Sequence, residues 1–210
     1  RVGDQVLAPA VTNFDRRSLK KMLYFFDDQS NQRVLYNTFD VTSLVQKAEN
    51  TVGVLLGNGW YNQRDRTVEG CMWYDTPRLL CQLEIEYTDG STELVVTDDS
   101  WKTTTGPLLH DAIFTGEEYD ARLELDGWNR NGYKDSSWKK ALLVRAPKGS
   151  LHAQLAPHEK IIRILQPVSC EQKDDSTYWY AFPEMISGWA HIKVQGNAGD
   201  RIKLRFVGEE

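Results

Sequence analysis

The most regular alternation of apolar and polar positions runs from Cys81 to Tyr87. Cys81, Leu83, Ile85 and Tyr87 share one parity, and Gln82, Glu84 and Glu86 share the other. A period of two is that of a half-buried strand, because successive side chains point to opposite faces. Asp89-Gly90 follows, a dipeptide that accepts the positive backbone angles of a hairpin turn, and Leu94 and Val96 resume the alternation on a returning strand. A second hairpin is predicted near the end of the chain. There Ile192 and Val194 alternate with Lys193 and Gln195, the run Gly196-Asn197-Ala198-Gly199-Asp200 turns, and Ile202, Leu204 and Phe206 alternate with Lys203 and Arg205. Each hairpin has one wet and one dry face, as antiparallel sheets do. Further short strands are predicted around 23–26, 34–39 and 51–56, and Trp179 and Trp189 fit strand positions. The helical signal is confined to 42–46, where Thr42 suits the cap of one or two turns. No window sustains an apolar period of 3.6, which excludes a helical barrel or a doubly wound sheet.

Turn formers separate the strand patterns at Arg145-Ala146-Pro147-Lys148-Gly149-Ser150 and again at Ala156-Pro157-His158. They divide a first domain, residues 1–156, from a shorter piece, residues 157–210. The second piece has few strands for a closed sandwich, so its sheet edges need further cover. Arg1-Val2-Gly3-Asp4 reads as the interior of a domain, and the chain stops just after a strand pattern, so a longer polypeptide is expected.

Composition narrows the function classes. The 210 residues are 40% hydrophobic and 11% aromatic, enough for packed cores. A net charge of -5, with scattered basic residues, argues against a nucleic-acid surface. No segment approaches the roughly 18 apolar residues of a membrane span, so no membrane partner is expected. Cys71, Cys81 and Cys170 are too few and too widely spaced for a disulfide framework or a four-cysteine zinc site, and one bridge plus a thiol stays open. His110, His152, His158 and His191 are dispersed, without transition-metal spacing.

Several motifs occur in order. Phe39-Asp40-Val41-Thr42-Ser43-Leu44, followed by Glu49-Asn50-Thr51-Val52, is a turn closed by Asp40 and Thr42 side chains, with Asn50 at the corner before a buried strand. Around it stand Val2-Gly3-Asp4 with Leu7-Ala8-Pro9, Leu56-Gly57-Asn58-Gly59-Trp60-Tyr61, Asp99-Ser100-Trp101-Lys102, Gly116-Glu117-Glu118-Tyr119-Asp120-Ala121-Arg122, and Gly127-Trp128-Asn129 with Asp135-Ser136-Ser137-Trp138. In order and spacing this set resembles the N-terminal sugar-binding-like domain of bacterial α-L-rhamnosidases. The second piece resembles the start of the concanavalin-like sandwich that follows, through Tyr178 to Phe182, Gly188-Trp189 and Gly199-Asp200. It departs from the family at Ala181-Phe182-Pro183-Glu184-Met185-Ile186-Ser187. The fold expected is all-β, an antiparallel jelly-roll β-sandwich followed by part of a second β-sandwich. The resemblance implies a secreted or periplasmic enzyme that hydrolyses terminal α-L-rhamnose with inversion. Its catalytic acids would belong to a helical barrel further along, so no catalytic residue is assigned here. The partners implied are a rhamnose-containing carbohydrate and the missing catalytic domain of the same chain.

The residues themselves offer two kinds of chemistry. Glu118 and Asp120, two apart on a strand, would share a face with α-carbons about 6.6 Å apart, near the roughly 6.5–9.5 Å carboxyl separation of inverting glycosidases. Arg122 would lie on the same face, which makes an ion-paired row that keeps both acids charged the preferred reading. Asn58, Trp60, Tyr61 and Arg64 form a candidate carbohydrate platform, and Trp73 with Asp75 a second, since sugars stack on aromatic faces while amides and carboxylates fix their hydroxyls. The alternative is that Trp60 is a core plug and Asn58 serves the turn. Trp101, Trp128 and Trp138 read as packing corners. No cofactor is required. A calcium ion, which some related modules use, would suit Asp27-Asp28 or Asp98-Asp99, although neither has the spacing of a dedicated loop.

Overall fold

A computed structural model describes residues 4–7, 18–20, 33–59, 62–63, 72–73, 76–112, 115–146, 148–157 and 160–208. Among them the elements are β1 (Asp4–Leu7), β2 (Ser18–Lys20), β3 (Arg33–Tyr36), a 3-10 turn (Thr42–Leu44), β4 (Gly53–Leu56), β5 (Asn62–Gln63) and β6 (Met72–Trp73). There follow β7 (Gln82–Glu86), β8 (Thr92–Val96), β9 (Lys102–Thr105), β10 (Leu108–Ala112), β11 (Gly116–Tyr119), a second 3-10 turn (Ala121–Leu123), β12 (Lys139–Lys140), β13 (Ser150–Ala153), β14 (Ser169–Gln172) and β15 (Tyr178–Ala181). No α-helix occurs among the described residues, and the fold is all-β. The chain divides into two compact units, Arg1–Leu155 and Ala156–Glu210.

In the first unit the alternation at 81–87 does what its period dictates. Cys81, Leu83 and Ile85 are buried, while Gln82 and Glu84 are half-buried and Glu86 is exposed. The turn is tied by Gly90 N–H to Tyr87 O (3.0 Å) and by Tyr87 N–H to Ser91 O (2.9 Å), with Gly90 alone at positive φ, 86°. That is a three-residue loop ending in a glycine bulge. It pairs Leu83 with Val95 and Glu84 with Leu94. Val95 therefore faces the core, and Leu94 and Val96, expected on the dry side, are 55% and 43% exposed. A one-residue difference in register exchanges the faces of a strand.

Two principal sheets result, a four-stranded one ordered β12-β9-β1-β4 and a three-stranded one ordered β2-β7-β8. One apolar cluster gathers Val54, Cys81 and Trp101, another Leu83 and Ile85, and Val52 packs against both. Cys81 is buried, and neither it nor the exposed Cys170 is in a disulfide. One pairing departs from the antiparallel expectation. β13 runs parallel to β3, with Ser150 opposite Arg33 and Ala153 opposite Tyr36. A parallel pair needs a long connection, and everything from β4 to β12 intervenes.

The Asp40 turn forms as its side chains require, with Asp40 Oδ1 accepting from Thr42 N–H (3.0 Å) and Thr42 Oγ1 (2.6 Å). The 3-10 turn that follows is only three residues long, and no side chain caps it. Thr42 is thus spent on Asp40 rather than on the helical turn. Asn50 closes the corner by accepting from Gln46 N–H (2.8 Å) and donating to Gln46 O (2.9 Å).

The second unit contains the antiparallel pair β14–β15, in which Ser169 opposes Ala181 and Gln172 opposes Tyr178. The hairpin expected at 192–206 does not form. The turn is present, with Asp200 N–H bonded to Asn197 O (3.0 Å) and Gly199 at φ 100°, but no strand is found among the described residues after Ala181. Trp189 accordingly lies outside a strand. Ile192, Val194, Ile202, Leu204 and Phe206 stay exposed, so burial, which turns an alternating pattern into a ladder, is missing.

Candidate functional site

Of the residues proposed for a carbohydrate platform, Asn58 can be followed in full. It sits just past the end of β4 and is 5% exposed. Its main-chain N–H donates to both carboxylate oxygens of Asp111 on β10, at 3.0 and 2.9 Å. Its Nδ2 donates to the Asp111 carbonyl (2.9 Å), and its Oδ1 accepts from Asn62 Nδ2 (2.7 Å). Asn62, on β5, also returns its N–H to Asn58 O (3.1 Å). Both ends of the Asn58 amide are thereby engaged within the protein. A Cβ at Gly57 would lie 2.7 Å from Asp111 Oδ2, so a larger residue there would have to displace this carboxylate. Asn62 is 7% exposed, and its Oδ1 is buried without a hydrogen-bond partner. A buried unsatisfied acceptor costs about 1–3 kcal/mol.

Asp111 carries no local signal in the sequence, because it lies 53 positions from the asparagine it holds. The other platform residues cannot be followed in this way. Trp60, Tyr61, Arg64 and Asp75 lie outside the described residues, and Trp73 is described only as the backbone partner of Asn62 between β5 and β6.

The second candidate set is resolved differently from a row on one strand face. Glu118 is on β11, opposite His110, but Asp120 has already left the strand and caps the 3-10 turn that contains Arg122. Asp120 Oδ1 accepts from Arg122 N–H (3.0 Å) and Nε (2.8 Å), and Oδ2 from Nη2 (2.6 Å). The bonds from the Arg122 side chain, then its backbone N–H, pull the Asp120 carboxyl down to about 2. A carboxyl so held is a poor proton donor at neutral pH.

The tryptophans read as packing corners are placed in the first unit. Trp101 is 2% exposed and donates its indole N–H to Val96 O (3.0 Å). Trp138 is 7% exposed, stacks on Trp128 at 6.4 Å between centroids, and meets Tyr133 edge-on at 5.8 Å. Trp128 lies over Gly53, where a Cβ would come within 2.5 Å of its ring. Asp98, one of the acids considered for calcium, spends Oδ1 on Ser100 N–H (2.8 Å) and on the Ser100 hydroxyl. Asp27 and Asp28 lie outside the described residues, among which no cluster of three His, Cys, Asp or Glu side chains is placed to hold a metal ion.

The all-β scaffold agrees with the comparisons with known proteins. The chain belongs to the family described as the α-L-rhamnosidase N-terminal domain, which matches residues 26–163. An α-L-rhamnosidase of Formosa agariphila is 30% identical over 209 residues, 97% of this chain and 20% of that protein. One from an Alteromonas species is 34% identical over 181 residues, 84% of this chain and 19% of that protein. The chain thus spans about a fifth of the length of these relatives. Among solved structures, the α-L-rhamnosidase of Dictyoglumus thermophilum superposes with a TM-score of 0.71 at 30% identity, covering 85% of this chain and 22% of that one. The Streptomyces avermitilis α-L-rhamnosidase, solved in complex with L-rhamnose, gives 0.74 at 23% identity over 84% of this chain and 19% of that one, a likeness of fold.

Proposed function

We propose that the chain is a non-catalytic accessory region of a glycoside hydrolase of the α-L-rhamnosidase type, one that binds carbohydrate or positions substrate for the rest of the enzyme. The family match, over an all-β segment about a fifth the length of its relatives, carries the reading. The parent protein would hydrolyse terminal α-L-rhamnose from glycosides or polysaccharides. The catalytic helical barrel that would partner this region has no counterpart among the described residues, which contain no α-helix. The ligand would be a rhamnose-containing glycan stacked on aromatics of the 60–75 segment, with calcium as a candidate aid. Calorimetric titration with L-rhamnose and rhamnosylated oligosaccharides, with and without chelator, tests this. Saturable binding is expected, and a flat titration under both conditions removes the sugar-binding role. On an aryl α-L-rhamnoside the chain should be inert; turnover lost in Glu118→Gln or Asp120→Asn would make it catalytic after all.

A second reading, a structural sandwich that supports the barrel without touching sugar, draws on Asn58. At 5% exposure, with its amide engaged at both ends within the protein, Asn58 offers little to a ligand hydroxyl. It predicts that the same titrations stay flat while the chain remains folded.

A further inference from the structure

Two Asn-Gly steps occur in the chain, Asn58-Gly59 and Asn131-Gly132. In such a step the nitrogen that follows the asparagine carries no side chain beside it, so its approach to the side-chain amide is least hindered. The structure treats the two steps differently. Asn58 is 5% exposed, with both ends of its amide engaged by half-buried or buried partners. Asn131 and Gly132 are both exposed. The Gly132 N–H makes no hydrogen bond among the described residues, and its φ of 79° lies in the left-handed region. What restrains the Asn131 amide is a tie at each end: Oδ1 accepts from Thr51 Oγ1 (2.7 Å), and Nδ2 donates to Glu49 O. Both ties are exposed, where a hydrogen bond holds against water by a small margin. They fasten the segment that carries Trp128 to the chain entering β4, beside the seat of that ring on Gly53.

We propose that Asn131 is a site of spontaneous deamidation, and that the change releases the Trp128 segment from the base of β4. The Gly132 nitrogen, its proton lost to solvent base, bonds to the side-chain carbonyl carbon of Asn131. The bond from that carbon to Nδ2 breaks, and Nδ2 departs as ammonia with a proton from water, leaving a cyclic imide. Water then opens the imide. Breaking the new carbon–nitrogen bond gives aspartate, and breaking the original peptide bond gives isoaspartate. Either product carries a carboxylate at neutral pH. The group that donated to Glu49 O has become an acceptor, so two acceptors face each other where a bond stood. Isoaspartate also adds the β-carbon to the main chain and shifts the segment further.

Ageing the full chain at mildly alkaline pH, followed by peptide mapping with mass spectrometry, tests the site. The amide-to-acid mass gain should appear at Asn131 at least about tenfold faster than at Asn58, whose reaction must wait for local opening. Thr51→Val removes one tie, and should speed the change at Asn131 while leaving Asn58 at its wild-type rate. Asn131→Asp isolates the consequence: amide exchange at 128–133 should rise by about tenfold or more while 82–86 keeps its protection. Equal rates at the two asparagines, or an Asn131 that stays intact while a urea-unfolded control deamidates, overturns the site. An unaltered rate in Thr51→Val overturns the role of the ties, and unchanged exchange at 128–133 in Asn131→Asp, or an equal rise at 82–86, overturns the release.

Discussion

One short pattern, an aspartate followed two positions later by serine or threonine, recurs at Asp40-Val41-Thr42, Asp89-Gly90-Ser91, Asp98-Asp99-Ser100 and Asp174-Asp175-Ser176. In each, one carboxylate oxygen takes both the N–H and the hydroxyl of the later residue. Such turns are legible from sequence because donor and acceptor are neighbours. Asp98, one of the acids considered for calcium, is engaged in such a turn. The bonds from serine lower the carboxyls of Asp89, Asp98 and Asp174 below their ordinary value. Asp120 is lowered furthest, from 3.8 to about 2, by Arg122. A depressed carboxyl contributes stability that is complete above its unfolded value and lost as pH falls through the folded one. Melting temperatures of wild type and Asp120→Asn should thus differ by a constant amount at neutral pH and converge between about 4 and about 2. Added salt should shrink the gap, because the pair is exposed. At the buried extreme, Trp101→Ala should cost about 3–5 kcal/mol in urea unfolding, and Trp101→Phe, which loses the bond to Val96 O, about 1–2 kcal/mol.

At the scale of elements, what the sequence discloses depends on how local the cause is. β7 was readable because its two faces differ in chemistry, so alternation alone orients it. β8 was readable as a strand but not in its facing, since Glu93-Leu94-Val95-Val96 is apolar on both parities and the glycine bulge decides which side Val95 takes. The attachment of the loop around Trp128 to β4 was not readable. Thr51 Oγ1 meets Asn131 Oδ1 at 2.7 Å, and Asn131 Nδ2 donates to Glu49 O, across 80 and 82 positions. Gly53 belongs to the same contact, and its cause is purely steric, a tryptophan ring seated on bare backbone. Gly53→Ala is therefore expected to destabilise the chain by about 1–3 kcal/mol in denaturant titration. Pairing it with Trp128→Leu should relieve most of that penalty, because the clash needs both partners.

For the whole molecule, the two units differ in how much they bury. The core residues Val34, Val54, Cys81, Leu83, Ile85, Trp101 and Trp138 all lie in the first. In the second, every described residue but Leu165 is exposed. Composition and periodicity predicted apolar strands at both ends of the chain; they could not say that only one end finds a partner for them. A two-stranded ribbon cannot bury both of its faces, so Trp179 on β15 and Trp189 beyond it are 60% and 67% exposed. Acrylamide should quench these two readily while Trp101 and Trp138 resist. Trp179→Phe and Trp189→Phe should each shrink the quenchable fraction, and Trp101→Phe the protected one. Resistance of Trp179 and Trp189 in the isolated chain at low concentration would contradict this account of the second unit. Any longer polypeptide that packs a further layer against the face of β15 carrying Trp179 should move that tryptophan into the protected fraction, and without such a layer it should stay accessible, because only a further layer can dry a sheet face.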